Sequence, residues 1–319
     1  MKKILVTAAV LSAIAGASSA DNIITNPTGL FAVGINSDGS IFTPGTYATR
    51  AGMQSYVGFQ RVGDQYDPIN PGNPTEGWSF YGDNGGGSVN AIGSPQHIGS
   101  SGISLINESY SGGVGAAIAA DLSHDMGGGF ATIRQEYSFF QANVVGIKVT
   151  VTNTSGAALT RALYNREVDW DILPSFFSEY ARLDPIGGDV VDSSYYGFED
   201  RDASTPFFYS APGGGLFGLG DLGAGMTIDL VNVNGGAIAD GASVSFYVFH
   251  AISQLAQSEN ALRSQLIAQG ATWIATGVSS SGPGPGAYHA AMGYSRNLIP
   301  APGALALLGV AGLAARRRR

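Results

Sequence analysis

From position 145 to 151 the chain alternates. Val145, Ile147, Val149 and Val151 are apolar, and Gly146, Lys148 and Thr150 between them are small or polar. A period of two marks a strand with one buried face. After the turn residues Asn153, Thr154, Ser155 and Gly156 the alternation resumes from Leu159 to Ile172, with Ala162, Tyr164, Val168, Trp170 and Ile172 on one face. The two runs are expected to pair as a hairpin packed on a core. Phe130–Phe140 and Met226–Val233 read as further strands, and Ser243–Ile252, apolar on both faces, as a central one. The period changes to helical late in the chain. Ser258, Glu259 and Asn260 can open a helix, Leu262, Leu266 and Ile267 form its stripe, and Gly270 can close it.

Turn clusters at Asn70-Pro71-Gly72-Asn73-Pro74 and Gly85-Gly86-Gly87 punctuate the first hundred residues, which read as short strands and long loops of the same unit. With 47 glycines in 319 residues, the expected fold is all-β. It is an antiparallel β-sandwich with long loops and one short helix late in the body. A signal helix precedes it and a hydrophobic tail helix follows it. The chain has no cysteine, so the core must hold it without disulfides.

The two ends carry addresses. Lys2 and Lys3, the apolar run Ile4–Gly16 and the small residues Ser18-Ser19-Ala20 before Asp21 form a secretory signal peptide over 1–20. At the other end no charge falls between Ala304 and Ala315, and then Arg316, Arg317, Arg318 and Arg319 close the chain. A comfortable span needs about 20 apolar residues, and this run is shorter. The arginines set the C-terminus on the cytoplasmic side, so the segment reads as a temporary membrane stop. With Pro300-Ala301-Pro302 before it, the tail over 299–319 resembles the PEP-CTERM sorting signal of Gram-negative bacteria, with Ala301 where that motif has glutamate. The resemblance implies cleavage by an exosortase, a membrane-embedded transpeptidase-like enzyme. The body is then 21–278, followed by a Gly/Pro/Ser-rich linker over 279–298 that includes Ser279–Gly286.

A second resemblance covers more of the chain. Tyr164–Pro174 with Phe177-Ser178-Glu179-Tyr180 is similar to a stretch of PEP-CTERM-tailed secreted β-proteins. In such proteins a strand, a short helix and another strand come before the tail. Here those would be Ser245–Ala251, Ser258–Gln269 and Thr272–Ala275. It implies a shared sandwich and supplies no activity.

Charge narrows the partners. Six of the 16 basic residues belong to the two ends, leaving ten against 24 acids, a net charge near −14 for the body. Nucleic acid and anionic membrane surfaces repel such a chain; cations are its natural ionic partners. The strongest candidate chemistry lies on the polar face of the second alternating run, at Asn165, Glu167, Asp169 and Asp171. Positions i and i+2 of a strand lie roughly 6.5–7 Å apart, so three carboxylates in a row repel one another unless neutralised. Three readings stay open: a solvated face with Arg161 or Arg134 nearby, a calcium site on Glu167, Asp169 and Asp171, or a saccharide-handling or hydrolytic site.

Other motifs are weak. Gly218-Leu219-Gly220-Asp221-Leu222-Gly223 satisfies G-x-G-x-x-G, but a strand follows it where a dinucleotide site needs a helix. His97, His124, His250 and His289 are isolated, with no HExxH spacing, and no serine sits in G-x-S-x-G. The acid-rich stretch Asp184, Asp189, Asp192, Glu199, Asp200 and Asp202 could bind cations and reads first as a solvated loop. The expectation is an exported, non-enzymatic cell-surface or extracellular-matrix protein, transiently held in the inner membrane and associated with exopolysaccharide or biofilm. It carries no cofactor unless calcium. The alternatives are a calcium- or carbohydrate-binding module and a secreted glycan hydrolase.

Overall fold

The computed structural model describes residues 22–44, 56–63, 66–69, 76–93, 99–111, 118–175, 177–197, 202–254, 257–279 and 288–298. The leader 1–20, the motif Pro300-Ala301-Pro302 and the arginines Arg316–Arg319 lie outside them. The described chain is all-β, with antiparallel pairing in every sheet. The strands in chain order are β1 (Ile23–Thr25), β2 (Phe31–Gly34), β3 (Thr43–Pro44), β4 (Tyr56–Val57), β5 (Phe59–Arg61), β6 (Glu76–Asp83), β7 (Ser88–Gly93), β8 (Ile103–Tyr110), β9 (Ala120–Met126) and β10 (Ala131–Gln141). They continue with β11 (Val144–Asn153), β12 (Arg161–Asp169), β13 (Glu179–Leu183), β14 (Val190–Ser194), β15 (Gly215–Gly220), β16 (Gly223–Asp229), β17 (Ser243–Ile252), β18 (Trp273–Ser279) and β19 (His289–Ser295). The helices are α1 (Leu230–Asn234) and α2 (Glu259–Ala268).

Two large sheets face each other. One has nine strands in the order β15-β13-β18-β19-β17-β11-β10-β9-β8, and the other five, β14-β16-β12-β6-β7. Val145, Ile147, Val149 and Val151 of β11, with Phe246 and Val248 of β17, meet Trp78, Phe80, Tyr164 and Val168 of the opposite sheet in one buried core. The Tyr164 and Phe246 rings meet edge to face at 5.0 Å. The small sheet β1-β2-β5 packs beside this core, with Phe59 against Phe139 at 6.3 Å between ring centroids.

The expected hairpin between 145–151 and 159–172 does not form. β11 pairs with β10 and β17, whereas β12 pairs with β6 and β16 in the other sheet. Asn153 turns the chain across the gap by donating from Nδ2 to the carbonyls of Ala157 and Ile238 at 2.7 and 2.8 Å. Both strands have the apolar face that alternation requires, and those faces look at each other from opposite sheets. Periodicity fixes which face is buried and leaves the partner strand open.

β17 does sit centrally, as its two apolar faces require. Its outer face joins a second core, in which Leu262 and Leu266 of α2 cover Val144, Phe249, Ala251, Ile274 and Ala291. Ser258 caps α2, its hydroxyl accepting from the Ala261 N–H. Two expectations need correction. The strand expected over Met226–Val233 ends at Asp229, whose carboxylate caps α1 by accepting from the N–H groups of Val231 and Asn232. The linker expected over 279–298 contains β19, which lies between β17 and β18 in the nine-stranded sheet. All seven residues of β19 are buried because core and α2 cover its two faces, so no alternation announces it. Among the described residues no helix is long and apolar enough to cross a membrane.

Candidate functional site

The acidic strand face is buried. Asn165, Glu167, Asp169 and Asp171 are each 2% exposed or less. The expected arginines go elsewhere: Arg134 bonds Asp121 and also pairs with Glu136, and Arg161 lies over the Tyr81 ring and reaches the Ser204 carbonyl. The burial comes from the neighbouring strand β16 and from Gly197 and Phe207 packed close to β12. A Cβ on Gly197 would meet the Asp169 Cα at 2.5 Å, and one on Gly223 would meet the Val168 carbonyl oxygen at 2.1 Å. A Cβ on Gly225 would strike both the Phe207 ring and the Glu167 stem. Backbone and ring therefore approach the acidic strand closer than any side chain but hydrogen allows.

Asp171 leaves this row and joins a different set. The register Asp169↔Gly223 continues toward Asp221, and β13 opens with Glu179 opposite Gly220. Asp171, Glu179 and Asp221 thus converge where β12 ends, β13 begins and the β15–β16 turn crosses from one sheet to the other. The Ile172 N–H donates to Glu179 Oε1 at 3.0 Å, and the Asp171 N–H to the Pro68 carbonyl at 2.7 Å. Burial, reinforced by the charges of Asp221 and Glu179, pushes the Asp171 carboxyl up to about 8. Burial likewise lifts Glu179 to about 8, against the lowering effect of the Ile172 and Ser178 N–H groups, and raises Asp221. Asp171 Oδ1, Glu179 Oε2 and Asp221 Oδ1 are buried without a hydrogen-bond partner. Among the described residues no three His, Cys, Asp or Glu side chains are gathered tightly enough to hold a metal ion as they stand.

A second charged group belongs to no motif of the sequence. Arg166 lies on the core face of β12 between Tyr164 and Val168 and is fully buried. Its Nε donates to Glu76 Oε1 at 2.5 Å, and one terminal nitrogen donates to Gln135 Oε1 at 2.8 Å and to the Tyr164 hydroxyl at 3.1 Å. Glu76 also accepts from the Ile41 N–H at 2.5 Å. Burial works against the Glu76 carboxylate, but Arg166 and His250 together outweigh it and hold the group at about 2. His250 Nε2 stands 3.4 Å from the same carboxylate without forming an aligned hydrogen bond, and burial keeps the imidazole below its ordinary range. Alternation alone puts position 166 inside; the signal was an arginine in an otherwise apolar register. The group ties both sheets and the 36–41 segment together within the core, which is a structural role.

The surface near the acidic strand is aromatic. Tyr195 stacks on Phe217 at 4.3 Å with rings 7° from parallel, and Tyr209 contacts Tyr195, Tyr196 and Phe208 at 5.8, 4.8 and 5.0 Å. Phe208 is 86% exposed, directly after the Phe207 that covers Glu167. Tyr195, Tyr196 and Phe217 are half-buried against the core, and Phe208 and Tyr209 are the exposed members of the group.

No family model, curated protein or solved structure matches this chain. The remaining motifs resolve into structure. Gly218–Gly223 forms the end of β15 and the turn into β16, a strand, which removes the dinucleotide geometry. His124 contacts the Ser37 carbonyl at 2.6 Å, and His289 is buried in β19. In the acid-rich stretch, Asp184 bonds Arg263, and Asp189 bonds Tyr294 and Arg296. These two acids brace the fold instead of facing solvent alone.

Proposed function

We propose that this chain is an exported, non-enzymatic surface or extracellular-matrix protein, freed from transient inner-membrane anchoring by an exosortase-type enzyme. Its antiparallel β-sandwich body holds polysaccharide. The leader, the arginine-capped tail and the acidic body support export and sorting. The observation that carries the ligand class is the aromatic patch of Tyr195, Tyr196, Phe208, Tyr209 and Phe217. Aromatic rings present a flat apolar face with a negative quadrupole, which suits the C–H faces of a sugar ring. Glu167 and Asp169, the pair a hydrolase would use, lie buried against Phe207 and Gly197, where a polysaccharide does not reach with those residues in place.

Affinity electrophoresis of the full chain through gels containing a neutral polysaccharide tests this. The wild-type protein is expected to be retarded. Phe208→Ala combined with Tyr209→Ala should weaken the retardation about tenfold, the size of effect a surface anchor residue gives, with an unchanged melting temperature. Equal retardation of both proteins, or of neither, would sink the polysaccharide reading.

A further inference from the structure

We infer that β15 is a self-association edge, along which a second copy of this chain adds its own β15 and extends the nine-stranded sheet. The two large sheets end in four strands, β15 and β8 in one and β14 and β7 in the other. An edge strand presents unpaired N–H and C=O groups, and proteins guard such edges with charge, proline or covering chain. Ser210 bridges to Ser194 on the open side of β14, and Ser101 bridges to Ile92 on the open side of β7. β8 carries Glu108. β15 reads Gly-Leu-Phe-Gly-Leu-Gly, with no charge and no proline. Among the described residues its backbone groups bond only to β13.

Charge and shape select a second copy as the occupant. The body carries a net charge near −14, so two copies repel unless they meet where no carboxylate faces another, and β15 is the uncharged edge. Leu216 and Leu219 on it are 60% and 61% exposed, and the bulge at Leu219 leaves Gly215–Gly218 regular. A two-fold axis normal to the sheet sets β15 antiparallel to its own copy and keeps the same face outward in both. With Phe217 on the axis, Leu216 of each copy lies opposite Gly218 of the other. Large meets small in both directions. The Tyr180 ring lies over Gly218, where a Cβ would meet it at 2.0 Å, so each incoming leucine packs against that ring. A translated copy would offer β8 instead. Direction alternates through the nine strands, so β8 runs parallel to β15, the weaker pairing, and brings Glu108 to the contact.

β15 borders the aromatic patch through Phe217, which stacks on Tyr195. The pairing uses the β15 backbone and its leucines and requires neither Phe208 nor Tyr209, so it stands or falls without the polysaccharide reading.

Sedimentation velocity of the full chain, without polysaccharide, reads the association. A short strand pair buries less than a standard interface, so the dissociation constant should be on the order of 10–100 µM. Screening of the like charges should tighten the dimer several-fold between about 0.05 and about 0.5 M NaCl. Leu216→Lys puts a charge on the edge and should weaken the dimer at least about tenfold, with an unchanged melting temperature. Should Leu216→Lys lower the melting temperature, Leu219→Lys gives the same readout. Leu105→Lys, on β8, should leave the dimer as it is. A monomer at every concentration up to about 300 µM, a Leu216→Lys chain that associates as the wild type does, or loss of the dimer in Leu105→Lys overturns the inference.

Discussion

Replacing Arg166 by methionine removes the guanidinium that Glu76 faces while keeping a side chain of similar length. The cost can be worked from the carboxylate it leaves behind. Glu76 is held at about 2 against an ordinary value of 4.5; at about 1.4 kcal/mol per pH unit, the native environment favours its ionised form by about 3 kcal/mol. Breaking a fully buried pair by deleting one partner costs about 3–5 kcal/mol. The expected loss at neutral pH is therefore about 3–4 kcal/mol. The pH dependence also changes sign. In the wild type the folded carboxylate titrates below its unfolded value, so its contribution is complete above about pH 4.5 and is lost as the pH falls toward 2. In Arg166→Met burial acts without the guanidinium, the Glu76 carboxyl rises above 4.5, and the variant loses stability as the pH rises from 4 to 7. Urea unfolding at about pH 3, 5 and 7 measures both effects. Glu76→Gln in the Arg166→Met background should restore more than half the loss, because the orphaned charge is gone. A cost below about 1 kcal/mol with the acid limb unchanged would refute the reasoning.

The corner of Asp171, Glu179 and Asp221 should make stability fall with rising pH. Asp171 and Glu179 are lifted to about 8 from 3.8 and 4.5, so their contribution is complete in acid and is lost as the pH climbs through 8. Asp171→Asn with Glu179→Gln, facing Asp221, should flatten that slope and exceed the wild type by about 2–4 kcal/mol near pH 9; an unchanged slope in denaturant melts would count against it. Gly223→Ala should cost about 3 kcal/mol, since its Cβ would meet the Val168 carbonyl oxygen at 2.1 Å. Gly87→Ala, with nothing within 4 Å, should stay within about 0.5 kcal/mol by the same assay. Intact mass of protein recovered from the native cell surface and medium should match a chain beginning at Asp21 and ending near Pro300; a C-terminus at Arg319 would make the tail a permanent anchor.

Local patterns carried a defined part of this protein. Alternation of apolar and polar residues placed the strand at 145–151, because the pleat sends successive side chains to opposite faces, and a run apolar on both faces placed the central strand at 243–252. Serine capping and the Leu262/Leu266 stripe placed α2. Those signals depend on neighbours within a few positions, and sequence records them directly. It does not record which strand lies alongside. Only the tertiary structure sent β11 and β12 to opposite sheets, set β19 in the middle of the larger one, and packed Phe207 and Gly197 against an acidic row whose surroundings the sequence left open. The same holds for the two charged groups. Arg166 meets Glu76 across 90 residues of chain, and Asp171, Glu179 and Asp221 meet at a corner assembled from three separate segments. Burial lifts a carboxylate to near 8, and a guanidinium buried beside one holds it near 2; both are properties of the assembled layers, which no short window of sequence contains.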